Sequence, residues 1–251
     1  MSSLDAAPAW ASALSRLSTH LSTDFLGGPR PFRLNQVINA QKGSTCLFVG
    51  GLMWVYGNGS TEAWTYLALH GSYGLCWILK DLAFPDPRWK VRITLGGAFM
   101  SLALVMVPYW VAPWLLISGV LQPRPPATPG LMAAAIALHT FGLALMLGAD
   151  AQRHFVLRDR KGLITDGMFR YVRRPNYLGE MMLYASYALL VRHWIPWLIL
   201  AWVWCVLFLP NMLVTDASLS RHEGWAAYKA RTGLLLPRPF TRPERAPRRS
   251  R

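Results

Sequence analysis

The stretch TLGGAFMSLALVMVPYWVAPWLLISGVL, Thr94–Leu121, runs for 28 residues without a charged side chain. A bilayer core of about 30 Å is crossed by roughly 20 apolar residues in helical form, so this stretch reads as membrane-embedded. Working outward, similar apolar blocks fall near residues 38–57, 62–80, 93–112, 130–149, 177–191 and 194–214. Proline removes a helical hydrogen bond and crowds the preceding turn. Pro108 and Pro113 are therefore expected to break the third block, making 114–121 an interfacial turn or part of an extra span. The expected fold is all-α: a polytopic transmembrane helix bundle of about six spans, seven if 114–121 contributes one.

Composition agrees with this reading. Of 251 residues, 53% are hydrophobic, 15% are charged and 12 are tryptophan, whereas a soluble domain carries about a quarter charged residues. The net charge of +14 is unevenly distributed. With the N-terminus inside, the cytoplasmic segments take in Arg16, Arg30, Arg33, Lys42, Lys80, Arg88, Lys90, Arg92, seven residues from Arg153 to Arg174, and nine from Arg221 to Arg251. Those are 24 of the 26 Lys and Arg, leaving Arg124 and Arg192 outside. The positive-inside rule produces such an asymmetry and places both termini in the cytoplasm. A basic face of this kind meets anionic lipid headgroups. Nucleic acid is not an expected partner, because the aromatic residues lie within apolar blocks and form no stacking platform.

Cys46, Cys76 and Cys205 are far apart, and no spacing suggests a metal site or a disulfide framework. No basic segment followed by an apolar run opens the chain, so no cleavable signal peptide is expected. Trp10, Leu14, Leu17 and Leu21 recur at helical spacing, which predicts a short amphipathic helix on the membrane surface. The chain therefore divides into a cytoplasmic or interfacial segment (1–35), a membrane-embedded bundle (36–237) and a disordered basic tail (238–251).

Residues 150–180 are too polar to span a membrane and too long for a mere connector. Asp150, Arg153, Leu157 and Arg160 or Lys161 follow helical spacing, so the fourth span is expected to continue past the membrane to a stop near Gly162. A turn at Thr165–Gly167 and a second short helix from Met168, ending before Pro175, are expected next. Guanidinium groups gathered here suit a pyrophosphate or 2′-phosphate. Tyr171 and Tyr177 suit the flanks of a planar base, and Asn176 suits an amide or ribose hydroxyl. Asp150 and Glu180 need a polar cavity or an arginine partner. The competing reading is topogenic charge with Arg–Glu pairs at helix ends.

The order of residues adds a resemblance. Leu163-Ile-Thr-Asp-Gly-Met-Phe-Arg-Tyr-Val-Arg-Arg-Pro-Asn-Tyr-Leu-Gly-Glu180 resembles the C-terminal signature of the steroid 5α-reductase and sterol reductase superfamily. That superfamily also contains isoprenylcysteine carboxyl methyltransferases and phospholipid methyltransferases. The resemblance covers roughly residues 140–240 and closes on Tyr228-Lys-Ala-Arg-Thr-Gly-Leu-Leu-Leu-Pro237. Asn176-Tyr-Leu-Gly-Glu180 and Asp150-Ala-Gln152 look like the reductase branch. By that resemblance Asp150, Arg158, Tyr171, Arg173 or Arg174, Asn176 and Glu180 surround NADPH, and Tyr177, Asp216 and Tyr228 are further cofactor-binding candidates. Asn211–Leu219 departs from both branches, with Asp216 where sterol reductases often carry a histidine motif and methyltransferases a glutamate. S-adenosylmethionine therefore stays open as the alternative cofactor.

Reductases of this type place a proton donor, often a tyrosine supported by a glutamate, on an early span. His70-Gly-Ser-Tyr73 supplies Tyr73 and His70 as candidates. Tyr73, Cys76 and Trp77 share a helical face, and Gly71 and Gly74 permit a ligand or helix to approach. Interhelical hydrogen bonding by His70 and Tyr73 is the competing reading. Gln41 and His139 are read as structural, and no early acid fills the glutamate's place. Arg88, Lys90 and Arg92 are within possible reach of a cofactor phosphate. The resemblance implies an NADPH-dependent reductase of a conjugated C=C bond in a steroid-like or other lipid substrate drawn from the bilayer. The alternatives are an S-adenosylmethionine-dependent lipid or isoprenylcysteine-type methyltransferase and a non-catalytic membrane scaffold.

Overall fold

A computed structural model describes residues 6–120 and 125–238 and is mostly helical. Helix α1 (Ala9–Thr23) leads through strand β1 (Phe32–Arg33) into α2 (Leu34–Tyr56) and α3 (Thr61–Ala83). Strand β2 (Arg92–Ile93) precedes α4 (Leu95–Ile117), α5 (Pro129–Asp159), α6 (Pro175–Val191), α7 (Trp194–Leu219) and the short α8 (Trp225–Arg231). Among the described residues three helices, α4, α5 and α7, are long and apolar enough to cross a membrane. The basic tail from 239 onward and the loop residues 121–124, with Arg124, lie outside the described residues.

Helix starts follow their capping residues. Ser60, Thr94 and Thr128 each accept a hydrogen bond from the backbone N–H three residues on, at 3.3, 3.0 and 3.2 Å, satisfying donors that helix geometry leaves free. Gly57 ends α2 at φ +62, a conformation that costs glycine nothing. Glu62 then ties the start of α3 to the segment before α5 by accepting from the Ala127 N–H at 2.5 Å.

Pro108 and Pro113 do not break α4, contrary to the sequence expectation. A π turn over Leu102–Met106 widens the helix just ahead of Pro108, and a 3-10 turn over Pro108–Trp110 follows. The wider turn accommodates the missing N–H and the proline ring. Residues 114–117 thus complete the same helix, which ends at Ile117.

Close helix approach depends on specific glycines. A Cβ on Gly142 would stand 2.6 Å from the Gly179 carbonyl oxygen, and one on Gly179 would stand 2.5 Å from that of Gly142. This mutual fit joins α5 and α6, the most extensive helix contact in the molecule. Gly74 faces the Lys42 carbonyl so closely that a Cβ would clash, and Gly71 faces Cys46. Those two glycines therefore admit a helix, α2, rather than a ligand. Helix α1 turns small residues inward, with Ala11 fully buried and Ser15 Oγ donating to Asn211 Oδ1 at 2.8 Å. Trp10 and Leu17, 49% and 52% exposed, face outward.

Candidate functional site

One end of the bundle contains a cavity of about 570 Å³, within the ~300–1,000 Å³ span of small-molecule and cofactor sites. Its first wall comes from α3, the following loop and the polar end of α5. Helix α5 continues to Asp159, presenting Asp150, Arg153, His154, Leu157 and Arg158 along its cavity side. Asp86 caps the 3-10 turn Pro87–Lys90 by accepting from the Arg88 N–H at 3.0 Å. Its carboxylate also accepts from Arg88 Nη2 at 2.7 Å and from Arg153 Nη2 at 2.9 Å. Asp150 pairs with Lys80, and Arg153 Nη2 lies 3.2 Å from its other oxygen. Alternating charges thus run Lys80, Asp150, Arg153, Asp86, Arg88 along one wall. Burial raises the Asp86 carboxyl, but bonding to Arg88 and the charges of Arg88 and Arg153 prevail and bring it to about 2.

The second wall is built around Asp216 on α7. Arg173 Nε donates to Asp216 Oδ2 at 2.9 Å and Arg174 Nη2 to Oδ1 at 2.7 Å. Arg173 Nη1 also donates to the Thr232 carbonyl at 2.6 Å. Instead of the expected short helix from Met168, only a 3-10 turn forms over Gly167–Phe169. Residues 171–174 stay out of helix because they bond to the C-terminal segment. Val172 bridges Gly233 in parallel, and the N–H groups of Arg173 and Arg174 donate to the carbonyls of Gly233 and Leu234. Tyr228 donates to the Phe169 carbonyl at 2.8 Å; burial pushes its phenol up to about 12, against the pull of Arg174 and Arg173, and keeps it a donor. Burial likewise lowers the Arg174 guanidinium from its ordinary value, opposed by the charge on Asp216.

Six basic side chains (Lys80, Arg88, Arg153, Arg158, Arg173 and Arg174) therefore line a space that receives two carboxylates, Asp86 and Asp150. Among the described residues the buried Nε of Arg174 has no hydrogen-bond partner, a costly state that an anionic oxygen would relieve. Asn176 and Tyr177 line the same space. The donor set fits a polyphosphate.

The candidate cofactor residues Asp150, Arg158, Arg173, Arg174, Asn176, Tyr177 and Tyr228 all line this cavity. Asp216 stands behind it as the clamp on the two arginines. Tyr171 is not brought in; it is 52% exposed, with the Arg170 guanidinium over its ring. Arg88 reaches the cavity, whereas Arg92 donates to the Arg30 carbonyl at 3.1 Å and, like Lys90, is outside the lining.

Glu180 lies deeper, within a second group centred on Lys42. Lys42 Nζ donates to Tyr73 Oη at 2.6 Å and Tyr184 Oη at 2.9 Å, and Glu180 Oε1 is 3.9 Å away. Tyr73 Oη lies 3.4 Å from the same carboxylate oxygen. His70 stacks on Tyr187 at 4.3 Å between centroids and contacts Tyr66 Oη at 3.2 Å. Trp77 separates this group from the cavity: the Lys42 and Lys80 ammonium groups lie 4.2 and 4.3 Å from its ring centroid. Lys42 and Lys80, expected among the topogenic charges, are thus both buried.

Sequence reasoning missed Lys42, Tyr184 and Tyr187 as site residues. The signal was present. Ile38, Lys42, Thr45, Val49 and Met53 make one buried face of α2, and Tyr177, Glu180, Tyr184 and Tyr187 recur at helical spacing on α6.

Comparison with known proteins finds that residues 86–232 match the family described as "Protein of unknown function (DUF1295)". An uncharacterized protein of Schizosaccharomyces pombe is 42% identical over 56 residues, which are 22% of this chain and 19% of that protein. The match therefore spans about a fifth of that relative's length.

Proposed function

This chain belongs to the DUF1295 family, and we propose that it is a membrane-embedded reductase using NADPH to saturate a conjugated C=C bond in a steroid-like or other lipid substrate. The observation that carries this reading is the basic cavity, with its unpartnered Arg174 Nε, set beside a buried Tyr73. When bound, NADPH supplies a hydride. Arg88, Arg158, Arg173 and Arg174 hold its phosphates, with guanidinium forks matching phosphate oxygens. Asn176 and Tyr177 hold its planar groups nearer the bundle. Tyr73 provides the hydroxyl that polarises the substrate carbonyl and returns a proton; His70, stacked on Tyr187, orients that region.

The reading includes six spans with both termini cytoplasmic. Large apolar side chains exposed on α2 (Leu47, Trp54) and α3 (Trp64, Leu75, Leu79) support their contact with lipid. Helix α6, at 17 residues, is short for a span but is packed against α5 through Gly142 and Gly179. The cavity then opens toward the cytoplasm, where NADPH is available, while substrate arrives from the bilayer.

The deciding measurement is thermal stabilisation of the detergent-purified protein by NADPH or S-adenosylmethionine, with calorimetry to follow. NADPH at 100 times its Kd should stabilise by about 2.7 kcal/mol. A sulfonium cation has little to gain from six basic side chains, so S-adenosylmethionine should leave the melting temperature unchanged. Stabilisation by S-adenosylmethionine alone would overturn the reductase reading in favour of a methyltransferase. Stabilisation by neither, in folded protein, would favour a scaffold.

A further inference from the structure

Lys42 is the one charged residue on the buried face of α2, and it is 6% exposed. An ammonium offers three N–H donors. Two are spent on Tyr73 and Tyr184, and Glu180 at 3.9 Å is beyond hydrogen-bonding distance of the third. Glu180 balances the charge without taking up that donor.

The two phenols are affected in turn. Both accept from Lys42, so their own protons point elsewhere. The Tyr73 and Tyr184 hydroxyls hydrogen-bond each other, which uses one of the two protons, and Tyr73 Oη has a further, long contact to Glu180 Oε1 at 3.4 Å. One O–H and one N–H therefore remain, with Glu180 Oε1 approaching the group only at 3.4 and 3.9 Å. The surroundings are aromatic: Tyr109 stacks on Tyr184 at 3.9 Å, and the Trp77 ring lies against the ammonium. Surplus donors around a buried cation call for an anionic oxygen, and aromatic walls call for a flat apolar body behind it.

We propose that Lys42, Tyr73 and Tyr184 form a binding site for one anionic oxygen of a planar apolar ligand, of the phenolate or enolate class. Its catalytic meaning rests on the reductase reading: the oxygen is then the substrate carbonyl oxygen as charge gathers on it. Lys42 becomes a catalytic residue, and the tyrosine's support is a lysine rather than the early-span glutamate expected from the resemblance. Donors already aimed at a site where charge develops need no reorganisation at the moment of reaction.

The test titrates purified protein with 4-nitrophenol at a pH where the free probe is mostly un-ionised, following the phenolate absorbance band. Binding should raise that band, and Lys42→Met should weaken phenolate binding by about 10- to 100-fold, the loss expected for a charge-assisted hydrogen bond. Tyr184→Phe, which retains both charge and ring, should weaken it less and guards against a misfolded Lys42→Met protein. Absence of the band in the wild type, or equal phenolate binding by both variants, would overturn the proposal. NADPH stabilisation measured alongside separates the two ideas. NADPH binding without the phenolate band sinks this inference alone, and the band without NADPH binding sinks the reductase reading alone.

Discussion

The cavity and the Lys42 group are both built from charges and phenols, but they balance those charges differently. In the cavity each carboxylate serves two cations, as Asp86 does for Arg88 and Arg153 and Asp216 does for Arg173 and Arg174. In the Lys42 group one ammonium is held by neutral hydroxyls, with its carboxylate at a distance. The first arrangement leaves excess positive charge facing an open space and suits a polyanion. The second leaves unspent donors in buried aromatic surroundings and suits a single oxygen. Trp77 is the partition that allows the two to coexist about one helical turn apart.

The largest expected effect comes from the clamp. Asp216→Ala leaves two buried guanidinium groups without their anion, and breaking a buried pair costs about 3–5 kcal/mol. The melting temperature in detergent should fall accordingly, and NADPH stabilisation should disappear with it. Next, Arg174→Gln should weaken NADPH binding by about 10- to 100-fold in calorimetry while leaving the 4-nitrophenol band in place. Loss of both signals would mean that the two sites are one.

A bulkier residue at Gly74 addresses the other side of the comparison. Gly74→Leu forces α3 away from the Lys42 carbonyl; overpacking of this kind costs about 1–3 kcal/mol. It should abolish the phenolate band before it affects NADPH binding, as read by the same titrations.

Acid provides a smaller effect. Asp86 is brought down to about 2 from an ordinary 3.8, so its ionised form adds stability that is complete above about pH 4. That contribution, at most about 2 kcal/mol, is lost as pH falls toward 2, and Asp86→Asn should flatten this limb of a pH–stability curve. Smallest of all, Tyr171→Ala should change NADPH affinity by less than about 0.5 kcal/mol, because Tyr171 faces solvent. A larger loss would redraw the cavity's edge.

The two regions also differed in how far they could be read from sequence. Most of the cavity residues sit close together between Asp150 and Tyr177, where polar residues stand out against apolar helices. The Lys42 group draws single residues from α2, α3 and α6, and a lone lysine near a predicted helix end reads as topogenic charge. Its burial depends on Gly74, whose effect is visible only once α2 is known to be its neighbour. The same limit applies to α4. Pro108 signals a break locally, but a π turn one step earlier absorbs it. Residues 171–174 read as helical in isolation and are not, because Gly233 and Leu234 offer Arg173 and Arg174 carbonyls from far along the chain.

That long-range pairing sets an order of assembly. A ribosome delivers Arg173 43 residues before Asp216 and 59 residues before Thr232. Until those partners emerge, the guanidinium groups remain hydrated at the membrane surface, because no anion is present to repay their burial. The basic cavity therefore closes only after the long helices described above have been made.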